Sequence, residues 1–354
     1  MNFSSILPNF FTVFSSAADS LNRYLTFSVV ALALLTAPAW GASKRECVII
    51  QAAFDVGSGS TKMVVAQVDR CAHKTLRFIQ EEQAGADYYQ DLRQNGQKIS
   101  RKMQEEGLAV LKQLQAKAQA LGATEFLAVG AQAFRDALNA EEFGQKLAQA
   151  GIQFKVVSQD EEAKIGFQAA AAVSGIPPKD LAIWDIGGGS MQIAFLQDPA
   201  HPSSPLTAYN GNLAAKGFLQ LVLKTFYPAQ AKTPNPYGAK IIPAQKLAAA
   251  LGEVLITPSF KEQLAQKQIV GIGPVHNIAV LKVLSPSRDY SLKQLKKSIT
   301  TKQNYTDAQL GNDQFSPETL TNAILVAGFM QALHIEKLIP VKIHLGHGIL
   351  GQEF

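Results

Sequence analysis

Two short stretches of the sequence combine an acid, several glycines and serines in the same order. The first, "AAFDVGSGSTKMVVAQVD", runs over 52–69, and the second, "AIWDIGGGSMQIAF", runs over 182–195. When Asp55 is aligned with Asp185, the flanking glycines and the last serine of the two stretches coincide. Glycine lets an anion approach the backbone closely, and successive N–H groups of a tight turn can bind an oxyanion. The repeated pattern therefore predicts two phosphate-binding turns.

Each turn is preceded by a carboxylate that can hold a metal ion or a water molecule. A P-loop needs Gly-Lys-Ser/Thr before a helix, and a dinucleotide-binding turn also opens a helix. Both turns here lead instead into apolar runs that predict strands, so the sequence favours two hairpins that grip a phosphate chain from opposite sides of a cleft. The candidate phosphate-binding residues of the turns are Gly57, Ser58, Gly59, Ser60, Gly187, Gly188, Gly189 and Ser190.

Short apolar strands alternate with helices on both sides of the second hairpin. In the first half, a helix within 96–122 is followed by the strand "EFLAVG", the helix "NAEEFGQKLAQAG", the strand "FKVVS" and the helix "DEEAKIGFQAAAAVSG". In the second half, "KQIVGIGPVHNIAVLKVL" predicts a strand, a turn and a helix. A long amphipathic helix, "SPETLTNAILVAGFMQALHIEKLI", and a closing strand, "VKIHL", follow. This alternation predicts an α/β fold.

Length and composition fit a two-domain globular protein. The chain has 354 residues, of which 47% are hydrophobic and 17% are charged, so a disordered chain is excluded. The formal net charge is +5, but no run of Lys and Arg and no alternation of basic and aromatic residues occurs. We therefore expect anionic partners and no nucleic acid.

The N-terminal segment has the features of an export signal. An apolar run, "LTFSVVALALLTAPAW", follows a single arginine and ends in small residues that suit a signal peptidase. The run is shorter than the ~20 residues that span a bilayer, and a proline interrupts it. We expect residues 1–42 to be a cleaved signal peptide and the protein to be periplasmic or extracellular, with no stable membrane insertion. The alternative is an uncleaved N-terminal membrane anchor.

The chain has two cysteines, Cys47 and Cys71. If the first hairpin turns at Gly59, the two cysteines lie equally far from the turn and opposite each other. Antiparallel partners have Cα atoms ~4.5–5.5 Å apart, which is within the range of a disulfide. An exported protein keeps such a bond, so we predict a Cys47–Cys71 disulfide.

The two turns resemble the phosphate motifs of the acetate kinase, heat-shock-70 and actin superfamily. Between them, "AVGAQAFRDALNAEEF" and "VVSQDEEAKIGFQAAAAVSG" resemble the exopolyphosphatase/guanosine pentaphosphate phosphatase (Ppx/GppA) family, and "GHGILGQ" resembles its closing segment. The resemblance covers about 48–354. It implies two ribonuclease-H-like (actin-like ATPase) lobes, over 47–175 and 176–354, with a cleft between them and the last residues packed back on the first lobe. It also implies that two copies can pair as a homodimer.

The resemblance further implies a phosphoanhydride hydrolase that releases terminal phosphate from polyphosphate or a related phosphorylated molecule. By position, Glu162 matches the family's general base and Arg135 its phosphate-binding arginine. Asp185 and Asp55 would hold Mg²⁺ or another divalent cation near the terminal phosphoryl group. Alternatively, Glu162 is a helix N-terminal acid that interacts with the helix dipole.

The family's acid two residues after the second serine is Gln192 in this sequence. A glutamine carbonyl can accept a contact from a metal or a water but brings no negative charge. The candidate catalytic residues are thus Glu162, Asp185 and Gln192, and the alternative function is a catalytically impaired polyphosphate- or nucleotide-binding sensor or carrier. A third interpretation, an ATP-dependent kinase of the superfamily, has only "GIGPVHN" as an adenosine site. We expect His344 and His347 to be structural or to line the cleft.

Overall fold

The computed structural model describes residues 47–201, 204–284, 289–313 and 315–352. The predicted signal peptide lies outside the described residues. The described residues form one compact unit built on two mixed β-sheets with helices on their faces. The α/β class predicted from the sequence is therefore confirmed.

The first sheet has five strands in the order β3-β2-β1-β4-β5. β1 pairs antiparallel with β2 and parallel with β4, as in a hairpin followed by a helical crossover. The elements are β1 (Val48–Val56), β2 (Ser60–Asp69), β3 (Lys74–Gly85), α1 (Tyr88–Gln94), α2 (Arg101–Ala120), β4 (Glu125–Gly130), α3 (Gln132–Asp136), α4 (Ala140–Gln149) and β5 (Gln153–Val156).

The second sheet has six strands in the order β10-β11-β9-β6-β7-β8, and it repeats the hairpin-plus-parallel-strand arrangement of the first. Its elements begin with α5 (Gln159–Ser174), β6 (Leu181–Ile186), β7 (Met191–Leu196), β8 (Leu206–Gly211), α6 (Ala215–Phe226), α7 (Ile241–Leu255), α8 (Pro258–Leu264) and β9 (Gln268–Ile272). A π-helical segment (Val275–Val280) continues into α9 (Leu281–Val283). The last elements are β10 (Tyr290–Ser291), α10 (Leu292–Thr301), α11 (Ser316–Ala332), β11 (Lys337–Pro340) and α12 (Leu345–Ile349).

The central strands are apolar on both faces because each sheet is covered on both sides. In β1, Phe54 packs with the side chains of α1, α2 and α4, whereas its neighbour Ala53 packs with Leu345 and Ile349 of α12. In β6, Trp184 faces α6, α7 and α11, whereas Ile183 faces α5. Successive side chains of a strand point to opposite faces, so the Asp that ends β1 and the Asp that ends β6 are held by strands fixed on both sides.

Two helices cover a sheet that is built mainly from the other half of the chain. α5 follows the first sheet in sequence but packs against β6, β7 and β9, and the C-terminal α12 packs against β1, β2 and β4. The bounds 47–175 and 176–354 for the two lobes stay a prediction. α5 carries Glu162, so this packing brings that side chain to the second hairpin.

Three predicted features of the C-terminal part were wrong. The long helix ends at Ala332, because Leu333 caps it and His334 adopts a left-handed backbone conformation with φ of 55°. The closing strand is Lys337–Pro340, which pairs with β9, and the predicted strand "VKIHL" lies just beyond it. α11 is buried nearly all round rather than amphipathic, since α7, α6, α10 and the π-helical segment surround it.

The predicted disulfide is present. Cys47 and Cys71 are bonded, with their Cα atoms 5.3 Å apart. The strand register pairs Asp55 with Lys62, so the turn centres between Ser58 and Gly59, half a residue earlier than expected. The bond therefore closes the open end of the β1–β2 hairpin. None of the helices in the described part of the chain is both long and apolar enough to cross a bilayer.

Candidate active site

The two glycine-rich turns have the same backbone geometry. In the β1–β2 turn the N–H of Gly57 donates a hydrogen bond to the carbonyl oxygen of Ser60, at 2.9 Å. In the β6–β7 turn the N–H of Gly187 donates to the carbonyl oxygen of Ser190, at 3.0 Å. The repeated sequence pattern is thus a repeated hairpin, with Asp55 or Asp185 two residues before each closing glycine.

The two turns face each other across one cleft. A Cβ atom built on Gly188 would lie 3.7 Å from Cβ of Ser58, and one built on Gly189 would lie 3.9 Å from Ser58 Oγ. A side chain at either glycine would therefore fill the space between the turns. The cleft is lined by Gly57, Ser58, Gly59, Ser60, Gly187, Gly188, Gly189 and Ser190, together with Asp55, Asp185 and Glu162.

Glu162 lies at the base of this cleft on the first turn of α5. The helix begins with a capping box, in which the Ser158 side chain accepts from the N–H of Glu161 and the Glu161 side chain accepts from the N–H of Ser158. This cap fixes the first turn and leaves Glu162 free to point at the second hairpin. Its side chain is 8% exposed, and burial raises its pKa although the nearby Arg135 guanidinium lowers it.

Three side chains contact the Glu162 carboxylate. Arg135 forms an ion pair with Oε2 at 2.8 Å, the Ser190 hydroxyl donates to Oε1 at 3.4 Å, and the Gln192 amide donates to Oε2 at 3.3 Å. Donors of this kind hold a carboxylate in its charged form. The contacts also fix which way the carboxylate faces in the cleft.

Arg135 lies behind Glu162 rather than in the cleft between the turns. Its guanidinium donates to the carbonyl oxygen of Val157 at 2.8 Å and to Oε1 of Gln132 at 2.9 Å, in addition to pairing with Glu162. These contacts engage both terminal nitrogens. Its predicted role as a phosphate-binding arginine stays a prediction, and its observed contact is with the candidate base.

Gln192 is buried beneath the second turn and is directly opposite Asp185 in the β6–β7 register. Its Nε2 donates to Glu162, and its Oε1 has no hydrogen-bond partner among the described residues. The amide is therefore oriented by Glu162. A carboxylate in its place would put two acids side by side.

The two aspartates occupy equivalent positions with different neighbours. Asp55 is opposite Lys62 and forms an ion pair with it at 3.2 Å. No hydrogen bond or ion pair to the Asp185 side chain exists within the described residues. Burial raises the pKa of Asp185 to about 7, repulsion from Glu162 and Asp55 adds to the rise, and Lys62 partly offsets it.

This pair of aspartates fits a hard divalent cation. Carboxylate oxygens are the ligands that Mg²⁺ prefers, and a buried carboxyl without a donor gains most from a nearby positive charge. The group of cysteines and an acid at Cys47, Asp69 and Cys71 does not fit a metal, because both sulfurs are in the disulfide.

Several side chains at the site were not singled out from the sequence. Lys62, Lys216 and Lys282 line the cleft, and each pairs with a carboxylate. The sequence does mark Lys62 as a site residue, because it comes two places after the last serine of its turn, as Gln192 does in the second turn. For the other two, no local pattern marks them as cleft residues.

His347 is buried against Glu81, whereas His344 is at the cleft. His344 lines it and has Nδ1 3.9 Å from an Asp55 oxygen, and that Nδ1 accepts the N–H of Gly346. His347 interacts with Glu81 at 3.3 Å, and its Nδ1 accepts the N–H of His344. Burial lowers the pKa of both histidines, so these contacts are those of neutral rings.

Residues 63–209 match the model of the Ppx/GppA phosphatase family. The chain contains a Ppx/GppA phosphatase-family domain. The match runs from within β2 to within β8 and therefore includes Glu162, Arg135 and the whole second hairpin.

Several solved structures have the same fold. The Aquifex aeolicus member is 18% identical, with a TM-score of 0.67 over 86% of this chain and 97% of that chain. An exopolyphosphatase from Cytophaga hutchinsonii is 13% identical, with a TM-score of 0.64 over 85% of this chain and 96% of that chain. A nucleoside triphosphate hydrolase from Neospora caninum is 12% identical, with a TM-score of 0.50 over 91% of this chain and 92% of that chain. These likenesses confirm the predicted actin-like ATPase fold.

Proposed function

We propose that the protein is a phosphoanhydride hydrolase that releases terminal phosphate from polyphosphate or a related phosphorylated molecule. The observation that carries the proposal is the pair of identically closed glycine-rich turns that face each other across a cleft with Glu162 at its base. The family domain and the exopolyphosphatase among the structural relatives support the same chemistry.

The turns bind the terminal phosphoryl group and its neighbour in the chain. Backbone N–H groups of 58–60 and 188–190 and the hydroxyls of Ser58 and Ser60 supply donors to phosphate oxygens. Phosphoryl transfer depends mainly on positioning and on neutralising charge. Two turns from two sheets therefore hold the scissile bond in line with an attacking water.

Glu162 takes a proton from the attacking water. The water oxygen bonds to the terminal phosphorus, the bridging P–O bond breaks, and the shortened chain leaves with the electron pair. A base works best when its pKa approaches the working pH, and burial shifts Glu162 in that direction. Arg135 and Gln192 keep its carboxylate aimed into the cleft.

Asp55 and Asp185 would hold Mg²⁺ or another divalent cation. A bound cation supplies charge neutralisation for the phosphate oxygens. The carboxyl of Asp185, whose pKa is about 7, would lose its proton to the solvent when such a cation binds.

The second candidate function is a polyphosphate- or nucleotide-binding sensor or carrier with little or no turnover. The observation that favours it is that the Glu162 carboxylate already has three partners, Arg135, Ser190 and Gln192. A carboxylate that is ion-paired and accepts hydrogen bonds is a weaker base.

Phosphate release from polyphosphate in the presence of Mg²⁺ tests the proposal. The wild type should release phosphate, and Glu162→Gln should lower the rate by at least about a hundredfold, as expected when a general base is lost. Glu141→Gln, a change of the same chemistry at an exposed acid in the first turn of α4, should match the wild type. Tight binding without release by the wild type would reject the hydrolase and support the binding protein.

We also propose that the protein acts in the periplasm or outside the cell. The Cys47–Cys71 disulfide supports this, because such bonds persist in oxidising compartments. Mass spectrometry of the purified protein under non-reducing conditions should find a new N-terminus near residue 42 and a mass two hydrogens below that of the reduced chain. An intact leader with two free thiols would reject export.

A further inference from the structure

Lys216 is fixed to the second phosphate-binding turn. It lies in the first turn of α6, and its N–H donates a hydrogen bond to the carbonyl oxygen of Gly188 at 3.0 Å. A Cβ atom on Gly188 would lie 3.7 Å from Cε of Lys216, so the stem of the lysine passes directly over this glycine. Its position is therefore coupled to the turn, and the residue lines the cleft.

The head of Lys216 reaches residues that are fixed to the first turn. Its Nζ is 3.2 Å from Oδ1 of Asp87 and 4.2 Å from the centre of the Tyr89 ring. The N–H of Tyr89 in turn donates to the carbonyl oxygen of Ser58 at 2.9 Å. Lys216 thus bridges the two turns at the cleft.

The contact with Asp87 is easily exchanged. The Asp87 side chain is 57% exposed and that of Lys216 is 19% exposed, and an ion pair with an exposed partner adds at most about 1 kcal/mol to stability. Asp87 also accepts the N–H of Gln90 as the N-cap of α1. It therefore keeps a partner when Lys216 moves away.

A phosphate group is a better partner for this lysine than Asp87. The ammonium group has three donors and a full charge, and lysine is a common point-charge ligand of phosphate. A phosphate held between the turns would bring more negative charge than one carboxylate. It would also lie on the buried side of Lys216, next to Gly188 and Ser58.

We propose that Lys216 is a substrate-binding residue and that Asp87 forms an ion pair with its ammonium group when no substrate is bound. An entering phosphate group displaces Asp87 from Lys216, so that the acid competes with the substrate and selects for polyanions that carry enough charge. This assignment rests on the proposed function in one respect, namely that the cleft binds a phosphorylated molecule.

Paired variants distinguish this role from a simple link between the two turns. Lys216→Met keeps the stem and removes the charge, and it should weaken binding of polyphosphate at least about tenfold, since a hydrogen bond to a charged group is lost. Asp87→Asn keeps a good N-cap for α1 and removes the competitor, so it should tighten binding severalfold. If the pair only links the turns, both variants should weaken binding alike, which would overturn the proposal.

The measurements are the dissociation constant of inorganic tripolyphosphate by calorimetry and the KM for phosphate release from polyphosphate. Lys261→Met and Glu253→Gln are the matched controls, because this ion pair also joins a largely buried lysine to an exposed acid and lies outside the cleft. Both controls should bind like the wild type. An equal loss of affinity in Lys261→Met and Lys216→Met would also overturn the proposal.

The two hypotheses can fail separately. If the wild type releases no phosphate but binds tripolyphosphate, and Lys216→Met binds it more weakly, the hydrolase is wrong and the role of Lys216 stands. If release depends on Glu162 but neither paired variant changes the dissociation constant or KM, the role of Lys216 is wrong and the hydrolase stands. Failure of every protein to bind tripolyphosphate would overturn both.

Discussion

Replacement of Gln192 by glutamate should place two buried carboxylates side by side, where they repel each other. The Gln192 amide is 3.3 Å from Oε2 of Glu162, and both side chains are almost completely buried. At this distance and an effective dielectric constant of about 20, two carboxylates repel by about 5 kcal/mol. Protonating one of them at pH 7 costs about 4 kcal/mol, from a reference pKa of about 4.3. The pair will therefore bind a proton at neutral pH.

The expected loss of stability depends on pH. Gln192→Glu should lower the free energy of unfolding by up to about 4 kcal/mol at pH 7, with Arg135 offsetting part of it. This loss of stability should decrease by about 1.4 kcal/mol for each pH unit below 7, because protonating one of the two carboxylates costs less free energy at lower pH. Gln192→Met is the control, since it removes the amide without adding charge. It should cost about 1.5–3 kcal/mol with little dependence on pH.

Urea denaturation at pH 7 and pH 5, with a chelator present, measures both losses, and phosphate release with Mg²⁺ measures the functional effect. When the two carboxylates share a proton, Glu162 cannot accept another from the attacking water. Phosphate release by Gln192→Glu should therefore be low at pH 7 and should recover as the pH rises. A variant as stable as the wild type at pH 7 would refute the electrostatic reasoning. Faster release at pH 7 would show instead that the glutamine impairs the enzyme.

Three further changes test other parts of the structure. Burial lowers the pKa of His276 from 6.5 to about 3. Below pH 6.5 the unfolded chain therefore binds a proton at this residue that the folded chain does not bind. His276 should cost the protein about 2 kcal/mol of stability between pH 6.5 and about pH 5, and His276→Phe should remove this loss in urea denaturation. Reduction of the Cys47–Cys71 bond, which spans 24 positions, should lower the free energy of unfolding by about 3 kcal/mol, measured with and without reductant. Gly273→Ala should displace the Asp185 carboxylate and lower phosphate release at least about tenfold, because φ is +82° and the new Cβ would lie 2.3 Å from an Asp185 oxygen.

Each of these changes has a clear contrary result. Glu162 and Asp185 have raised pKa values and gain stability as pH falls, so only the difference between wild type and His276→Phe reports on His276. If the difference in stability between the wild type and His276→Phe does not change with pH, the burial argument for His276 is wrong. Equal stability of the oxidised and reduced protein would show that the hairpin register alone holds the strands. Gly85→Ala is the control, because this exposed glycine lies outside the cleft and a new Cβ there meets no atom within 4 Å. An equal loss of phosphate release in Gly85→Ala and Gly273→Ala would exclude the proposed clash.

The parts of the site that were predictable from the sequence are those determined by local patterns. A turn between two strands needs only neighbouring residues, so both hairpins and the disulfide at the end of the first could be read from spacing. β3 was not anticipated, because it is an edge strand whose charged and polar side chains are mostly exposed and form no apolar run. The end of the long helix was missed for another reason, since His334 rather than a glycine takes the left-handed conformation there.

The contacts around Glu162 could not be predicted from spacing because they join distant parts of the chain. Arg135 comes from α3 on the first sheet, and Gln192 comes from β7 of the second. They meet at Glu162 because α5 packs on the second sheet although it follows the first in sequence. Position in a family pattern identified these residues as a group. It did not indicate that Arg135 contacts the acid.

The duplicated hairpin is symmetric in its backbone and asymmetric in its charges. Both turns close by the same hydrogen bond, and the residue two places after each final serine is opposite the aspartate. In the first hairpin that residue is Lys62, which neutralises Asp55. In the second it is Gln192, which points to Glu162, and burial raises the pKa of Asp185 to about 7. Asp185 is therefore the aspartate that would gain more from a bound cation, and we predict that a divalent cation binds on that side of the cleft, next to the candidate base.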